Sequence, residues 1–130
     1  MIEVRCKYTN MKSKLKGDYF IYTEVEVIGH AQNLGYTTNN KVCAGVSACC
    51  FGIKRLLDIS LCTLEIKSGY FKCIRSTPSI KEPTTDYALN TLVCQLYELY
   101  RNYPSTFKCF ELIDIKENEN GTKQNKQTNN

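Results

Sequence analysis

Two rhythms of apolar residues divide the chain. From Met1 to Tyr8 apolar and polar residues alternate among β-formers. The alternation returns from Asp18 to Ile28, where Ile21, Thr23, Val25 and Val27 share one face and Tyr22, Glu24 and Glu26 the other. The polar, lysine-rich stretch from Thr9 to Gly17 reads as the loop between two hairpin strands. From Val42 the period changes. Val42, Val46, Cys49, Cys50, Ile53, Leu56 and Leu57 recur at three- and four-residue steps, which predicts a helix with one buried stripe. Gly29-His30-Ala31 and a polar loop from Gln32 to Lys41 lead into it. Two further strands are predicted at Ile59 to Lys67 and Tyr70 to Ser76, turning at Ser68-Gly69. Ala88, Leu89, Leu92, Val93, Leu96, Leu99 and Tyr100 predict a second amphipathic helix that stops before Pro104, and Phe107 to Ile115 a last strand.

The order β-β-α-β-β-α-β predicts an α+β fold. It is a single small domain over residues 1–115 with a mixed or antiparallel sheet and both helices on one face. Lys116 to Asn130 holds no large apolar group and is rich in Asn, Gln and Lys, so a disordered polar tail is expected over residues 116–130.

Composition narrows the function classes. A length of 130 residues suits one domain. No run approaches the roughly 18 apolar residues of a membrane span, and the start lacks the layout of a signal peptide. A cytoplasmic protein with no membrane partner is expected. The eight cysteines include no Cys-x-x-Cys pair and the chain has one histidine, so no zinc site is expected, and no other metal or cofactor. Most of the cysteines lie in apolar segments such as Leu61-Cys62-Thr63-Leu64 and Leu92-Val93-Cys94. All but Cys43 are assigned to the core as small hydrophobes in a reducing compartment. The net charge of +4 gathers partly at Lys7, Lys12, Lys14 and Lys16. A solvated hairpin tip accounts for that cluster, and no nucleic-acid partner is expected.

One pair of residues carries candidate chemistry. Cys43 stands where the polar loop enters the predicted helix, and a helix start lowers a thiol pKa. His30, the one imidazole, stands where a strand ends, with a loop between them long enough to fold back. The Ala44 and Gly45 amides, taken as the first of the helix, are expected to be unpaired and able to hold an oxyanion. Ser47 lies one turn beyond Cys43. Spacing alone leaves a second reading open, in which His30 is a surface or capping residue and Cys43 and Ser47 simply pack.

Gly29-His30-Ala31, a glycine-containing loop, and Val42-Cys43-Ala44-Gly45-Val46-Ser47-Ala48 resemble the double motif of the ribosomal-processing cysteine protease family. The likeness runs over roughly residues 1–113, through the first Ile-x-Val strand, the second helix and Tyr103-Pro104. The resemblance implies a compact α+β fold, a homodimer, and peptide-bond cleavage by His30 and Cys43. It also implies a substrate: a short N-terminal extension of a large-subunit ribosomal protein, or a capsid or scaffold protein if the chain is phage-encoded. Two positions depart from the family pattern. Asn40 stands where the family has Asp, and it can orient a histidine without supplying negative charge. The loop between His30 and Cys43 is also a residue longer. These departures support an alternative, a non-catalytic relative that binds a ribosomal or virion protein.

Overall fold

The computed structural model describes residues 1–13, 17–29, 38–76, 83–115 and 126–128. Strands β1 (Ile2–Ser13) and β2 (Gly17–Ile28) form a long antiparallel hairpin whose arms reach well into the expected loop. Helix α1 (Thr38–Ile53) follows, then a single 3-10 turn at Lys54–Leu56 and the hairpin of β3 (Cys62–Lys67) and β4 (Tyr70–Arg75). Helix α2 (Pro83–Asn102), a second 3-10 turn at Pro104–Thr106 and β5 (Phe107–Asp114) complete the domain. The sheet order is β3-β4-β2-β1-β5-β6, with β1 and β5 parallel and every other pair antiparallel. The α+β order with a mixed sheet is as expected.

The short sixth strand β6 (Lys126–Thr128) corrects the expectation of a wholly disordered tail. Strand pairing uses backbone groups, and the outer edge of β5 offers them without needing an apolar side chain. The other tail residues lie outside the described ones.

Alternation decides what each face of the sheet carries. Ile2, Val4 and Cys6 of β1, Val25 and Val27 of β2, and Phe71 and Cys73 of β4 are fully buried under the helices. The expected alternation in β2 breaks at a bulge: Lys7 pairs with Glu24 but Tyr8 pairs with Tyr22, leaving Thr23 extra. Beyond it Tyr22 turns into the core, against the face expected for it. Helix α2 begins at Pro83, whose missing N–H costs nothing at a first helical position, and carries Asp86 in its first turn and Arg101 in its last. It packs on β2 and β5 and beside α1. At its end Tyr100 stacks on Phe110 (5.2 Å) and meets the edge of Phe107 (5.5 Å).

A buried ion pair locks the opposite end of α2. Arg75, the last residue of β4, donates from Nε and Nη2 to the two Asp86 carboxylate oxygens at 2.9 and 3.4 Å. Nη1 donates to the Leu61 carbonyl at 3.4 Å. The arrangement is the bidentate one that a planar guanidinium favours.

The other face of the sheet is polar. Glu65, Lys72, Glu26, Arg5 and Glu111 are register partners in turn across five strands, so a row of alternating charge crosses the sheet. Lys72 and Glu26 lie 3.8 Å apart, and Arg5 and Glu111 3.7 Å. With this face charged, both helices cover the other one, as expected.

Candidate active site

One end of the domain holds Gly29 and Cys43, the described residues of the two segments that the sequence singles out. Here lie Met1, the end of β2, the β3–β4 turn, the start of α1 and the end of α2. Gly29 follows β2 directly with φ of 88°, a conformation natural to glycine. Its N–H donates to the Gly69 carbonyl at 2.8 Å. A Cβ at Gly29 would run into the Met1 carbonyl oxygen. The glycine before the histidine is therefore a backbone requirement, which motif spacing did not suggest. A glycine directly after a strand was the available signal. His30 itself, Ala31 and the loop to Thr37 lie outside the described residues.

Helix α1 begins at Thr38, four residues before the expected Val42. The loop residues Thr38, Asn39, Asn40 and Lys41 are helical because nothing in them breaks a helix, and each adds a backbone hydrogen bond to it. Asn40 therefore belongs to the first turn of α1 rather than to the loop.

The earlier start corrects two expectations. Cys43 is the sixth residue of the helix, in its second turn, where the field of the helix end has faded. The Ala44 and Gly45 amides follow the first four, so the helix's own i→i−4 bonds take them. They are not free to hold an oxyanion.

Cys43 is half-buried against the core. Burial raises its thiol above the ordinary value, and the amino terminus of the chain pulls it partly back. Gly29 thus closes on Met1, the residue before β1, and the Cys43 thiol lies within electrostatic reach of the Met1 amino group. Gly45 faces the Leu99 side chain of α2, with 3.7 Å from an added Cβ to Leu99 Cδ1. At about 100° per residue, Cys43 stands roughly 200° around the helix from that contact, on the flank turned away from α2. Ser47 is buried one turn further along.

All eight cysteines are free thiols. Cys6, Cys50, Cys62 and Cys73 are core residues as expected, and burial pushes the Cys50 and Cys73 thiols up to about 12. Cys49 is half-buried and packs against the core, whereas Cys109 is half-buried outside it and Cys94 is exposed on α2, so the assignment of seven cysteines to the core is corrected for these last two. Cys94 lies between the buried positions Val93 and Leu96 but points outward from the helix. No cluster of metal-ligating side chains occurs among the described residues. No described helix is long and apolar enough to cross a membrane.

The family model of the cysteine protease Prp matches residues 1–108. The chain belongs to this family of cysteine proteases. The resemblance carried by the Gly-His-Ala and Val-Cys-Ala segments thus extends over most of the domain. A comparison with curated proteins gave no match. Among solved structures, the ribosomal processing protease Prp from S. aureus in complex with a substrate peptide is 22% identical, with a TM-score of 0.61. The match covers 88% of this chain and 99% of that one. The same S. aureus protease with a covalently linked product peptide is 24% identical over 88% and 99% of the two chains, with a TM-score of 0.58. SMU.848 from Streptococcus mutans is 21% identical over 88% and 95%, with a TM-score of 0.64. At these identities the structures share the fold with this chain.

Proposed function

We propose that this Prp-family protein is a cytoplasmic, homodimeric endopeptidase in which Cys43 is the nucleophile and His30 its acid–base partner. Its substrate is a short N-terminal extension of a ribosomal protein. The observation that carries the reading is the match of the cysteine protease Prp family model to residues 1–108, which include Gly29-His30-Ala31 and the half-buried Cys43 of α1. The relative from S. aureus, a ribosomal processing protease crystallised with a substrate peptide, supports the choice of substrate.

The chemistry follows from the thiol's surroundings. Burial alone raises the Cys43 thiol, so formation of its thiolate depends on His30 taking up the proton. The thiolate attacks the peptide carbonyl carbon. Collapse of the tetrahedral intermediate breaks the C–N bond, and His30 returns the proton to the leaving amine. Water, deprotonated by His30, then hydrolyses the thioester and frees the thiol. Asn40 supports the histidine through an amide rather than a charge. The imidazolium is then less stabilised than beside an aspartate.

The test uses a peptide spanning the extension and the first residues of the mature ribosomal protein, with the products read by mass spectrometry. Cleavage at one bond by the wild type, abolished in Cys43→Ser and in His30→Ala, is the expected result. Binding of the peptide without cleavage would establish the non-catalytic alternative. The iodoacetamide alkylation rate of Cys43 against pH gives a second readout. An advantage of Cys43 over Cys94 near neutral pH, lost in His30→Ala, is expected.

A further inference from the structure

Strand β3 is bonded to β4 on one side and, among the described residues, has no strand on the other. Bonds at the two ends of β4 fix which backbone groups face outward. The Gly29 N–H donates to the Gly69 carbonyl and the Ser76 N–H to the Leu61 carbonyl, both at 2.8 Å. With Cys62 opposite Arg75 and Lys67 opposite Tyr70, antiparallel pairing turns the N–H and C=O of Thr63, Glu65 and Lys67 toward β4. Those of Leu64 and Ile66 point to the open edge. The Leu64 and Ile66 side chains lie half-buried against the core on the helix side of the sheet. The edge therefore presents backbone donors and acceptors beside a partly apolar rim.

This edge leads to the catalytic end. Strand β3 finishes at Lys67, the next turn supplies the Gly69 carbonyl that holds Gly29, and His30 follows Gly29. Cys43 stands on the flank of α1 turned from α2. Because α2 packs on β2 and β5, that flank is on the β3 side of the domain. We propose that the substrate chain binds as an added strand on the open edge of β3. Its backbone pairs with the N–H and C=O groups of Leu64 and Ile66, and its scissile bond is delivered to Cys43. This inference rests on the protease reading above. It makes the substrate an extended, flexible segment, recognised first by backbone and only then by side chains. Glu65 and Lys67, ion-paired at 2.9 Å on the opposite face, place charge on an edge that would otherwise invite pairing with other chains.

The probe is a pool of hexapeptide chloromethyl ketones, whose labelling of Cys43 is followed by mass spectrometry and compared with iodoacetamide, which has no peptide backbone. Ile66→Ala and Ile66→Pro lose the same side chain, but only proline also loses the outward N–H. Labelling of Ile66→Pro about five- to tenfold slower than Ile66→Ala, with equal iodoacetamide rates, is the expected result for one lost hydrogen bond. Equal labelling of the two variants overturns the proposal while leaving the protease reading intact. A wild type that reacts no faster with the peptide pool than with iodoacetamide overturns both. Should Ile66→Pro fail to fold, the unaltered protein decides. Pools N-methylated at successive positions slow labelling with a period of two if the peptide lies as a strand, and the absence of that period overturns the proposal.

Discussion

Gly29→Ala tests the link between the fold and the site. Two costs add at this position. Alanine held at a φ of 88° costs about 1–2 kcal/mol. Its Cβ would also overlap the Met1 carbonyl oxygen, a backbone atom with no rotamer to escape into. Relief requires the start of β1 to move, although Ile2 is fully buried and in register with Phe107. Forcing such a shift in a packed core costs about 1–3 kcal/mol. The sum is roughly 2–5 kcal/mol, which lowers Tm by about 10–20 °C in a domain of this size. Urea unfolding followed by circular dichroism reads the stability. Peptide cleavage at a temperature where the variant stays folded reads the site, and a drop in kcat/KM of at least about tenfold is expected because His30 is the next residue. Gly52→Ala is the control, since an added Cβ there meets nothing within 4 Å in a helical position. That change should stabilise by about 0.5–1 kcal/mol. A Gly29→Ala protein as stable and as active as the wild type would refute the reasoning.

Other outcomes can be checked with the same preparations. Asp86→Ala leaves the Arg75 guanidinium buried with the Leu61 carbonyl at 3.4 Å as its hydrogen-bond partner among the described residues, and should cost about 3–5 kcal/mol in urea unfolding. A loss below about 1 kcal/mol would mean that the pair contributes little beyond its own desolvation. The Cys50 and Cys73 thiols titrate near 12 when folded against 9.0 as the ordinary value, so above pH 9 the unfolded chain releases protons that the folded one keeps. Stability should therefore be flat with respect to these thiols below pH 9 and fall as the pH rises from 9 toward 12. A urea midpoint that stays constant over that range would contradict this. In native protein Cys94 should be alkylated at an ordinary thiol rate while Cys6, Cys50 and Cys73 stay protected until the chain unfolds. Early labelling of Cys73, under α-helices and between β2 and β3, would show that the core opens far more readily than its packing implies.

The elements were legible because their periods are clean. Val25 and Val27 against Glu24 and Glu26 give β2, and Leu89, Leu92, Val93 and Leu96 give the buried stripe of α2. The bulge at Thr23 was not legible, since one extra residue shifts the phase without leaving a turn signal. The start of α1 was missed for a related reason. Asn and Thr favour loops on propensity, yet the helix extends over them once Val42 and Val46 are anchored. The error bore directly on the site, because it moved Cys43 from the end of the helix into its second turn. Arg75 and Asp86 form a pair that pattern alone does not pick out, because only the crossing of β4 and α2 brings the two charges together. The motif itself was the most readable feature, and what the fold adds is the reason for its glycine.

The charged row across the open face also constrains how the strands can assemble. If β1 slipped by two residues against β2, every side chain would keep its face and the core would still look apolar. Glu3 would then come opposite Glu26, which in the native register faces Arg5. Apolar patterning alone tolerates such a slip, because the side-chain period is two. The alternating charges penalise it, since like charges directly opposite are destabilising. The solvent-facing side of this sheet thus works as a ruler for the strands. It keeps Met1 level with Gly29, and so keeps the first strand aligned with the segment that carries the histidine.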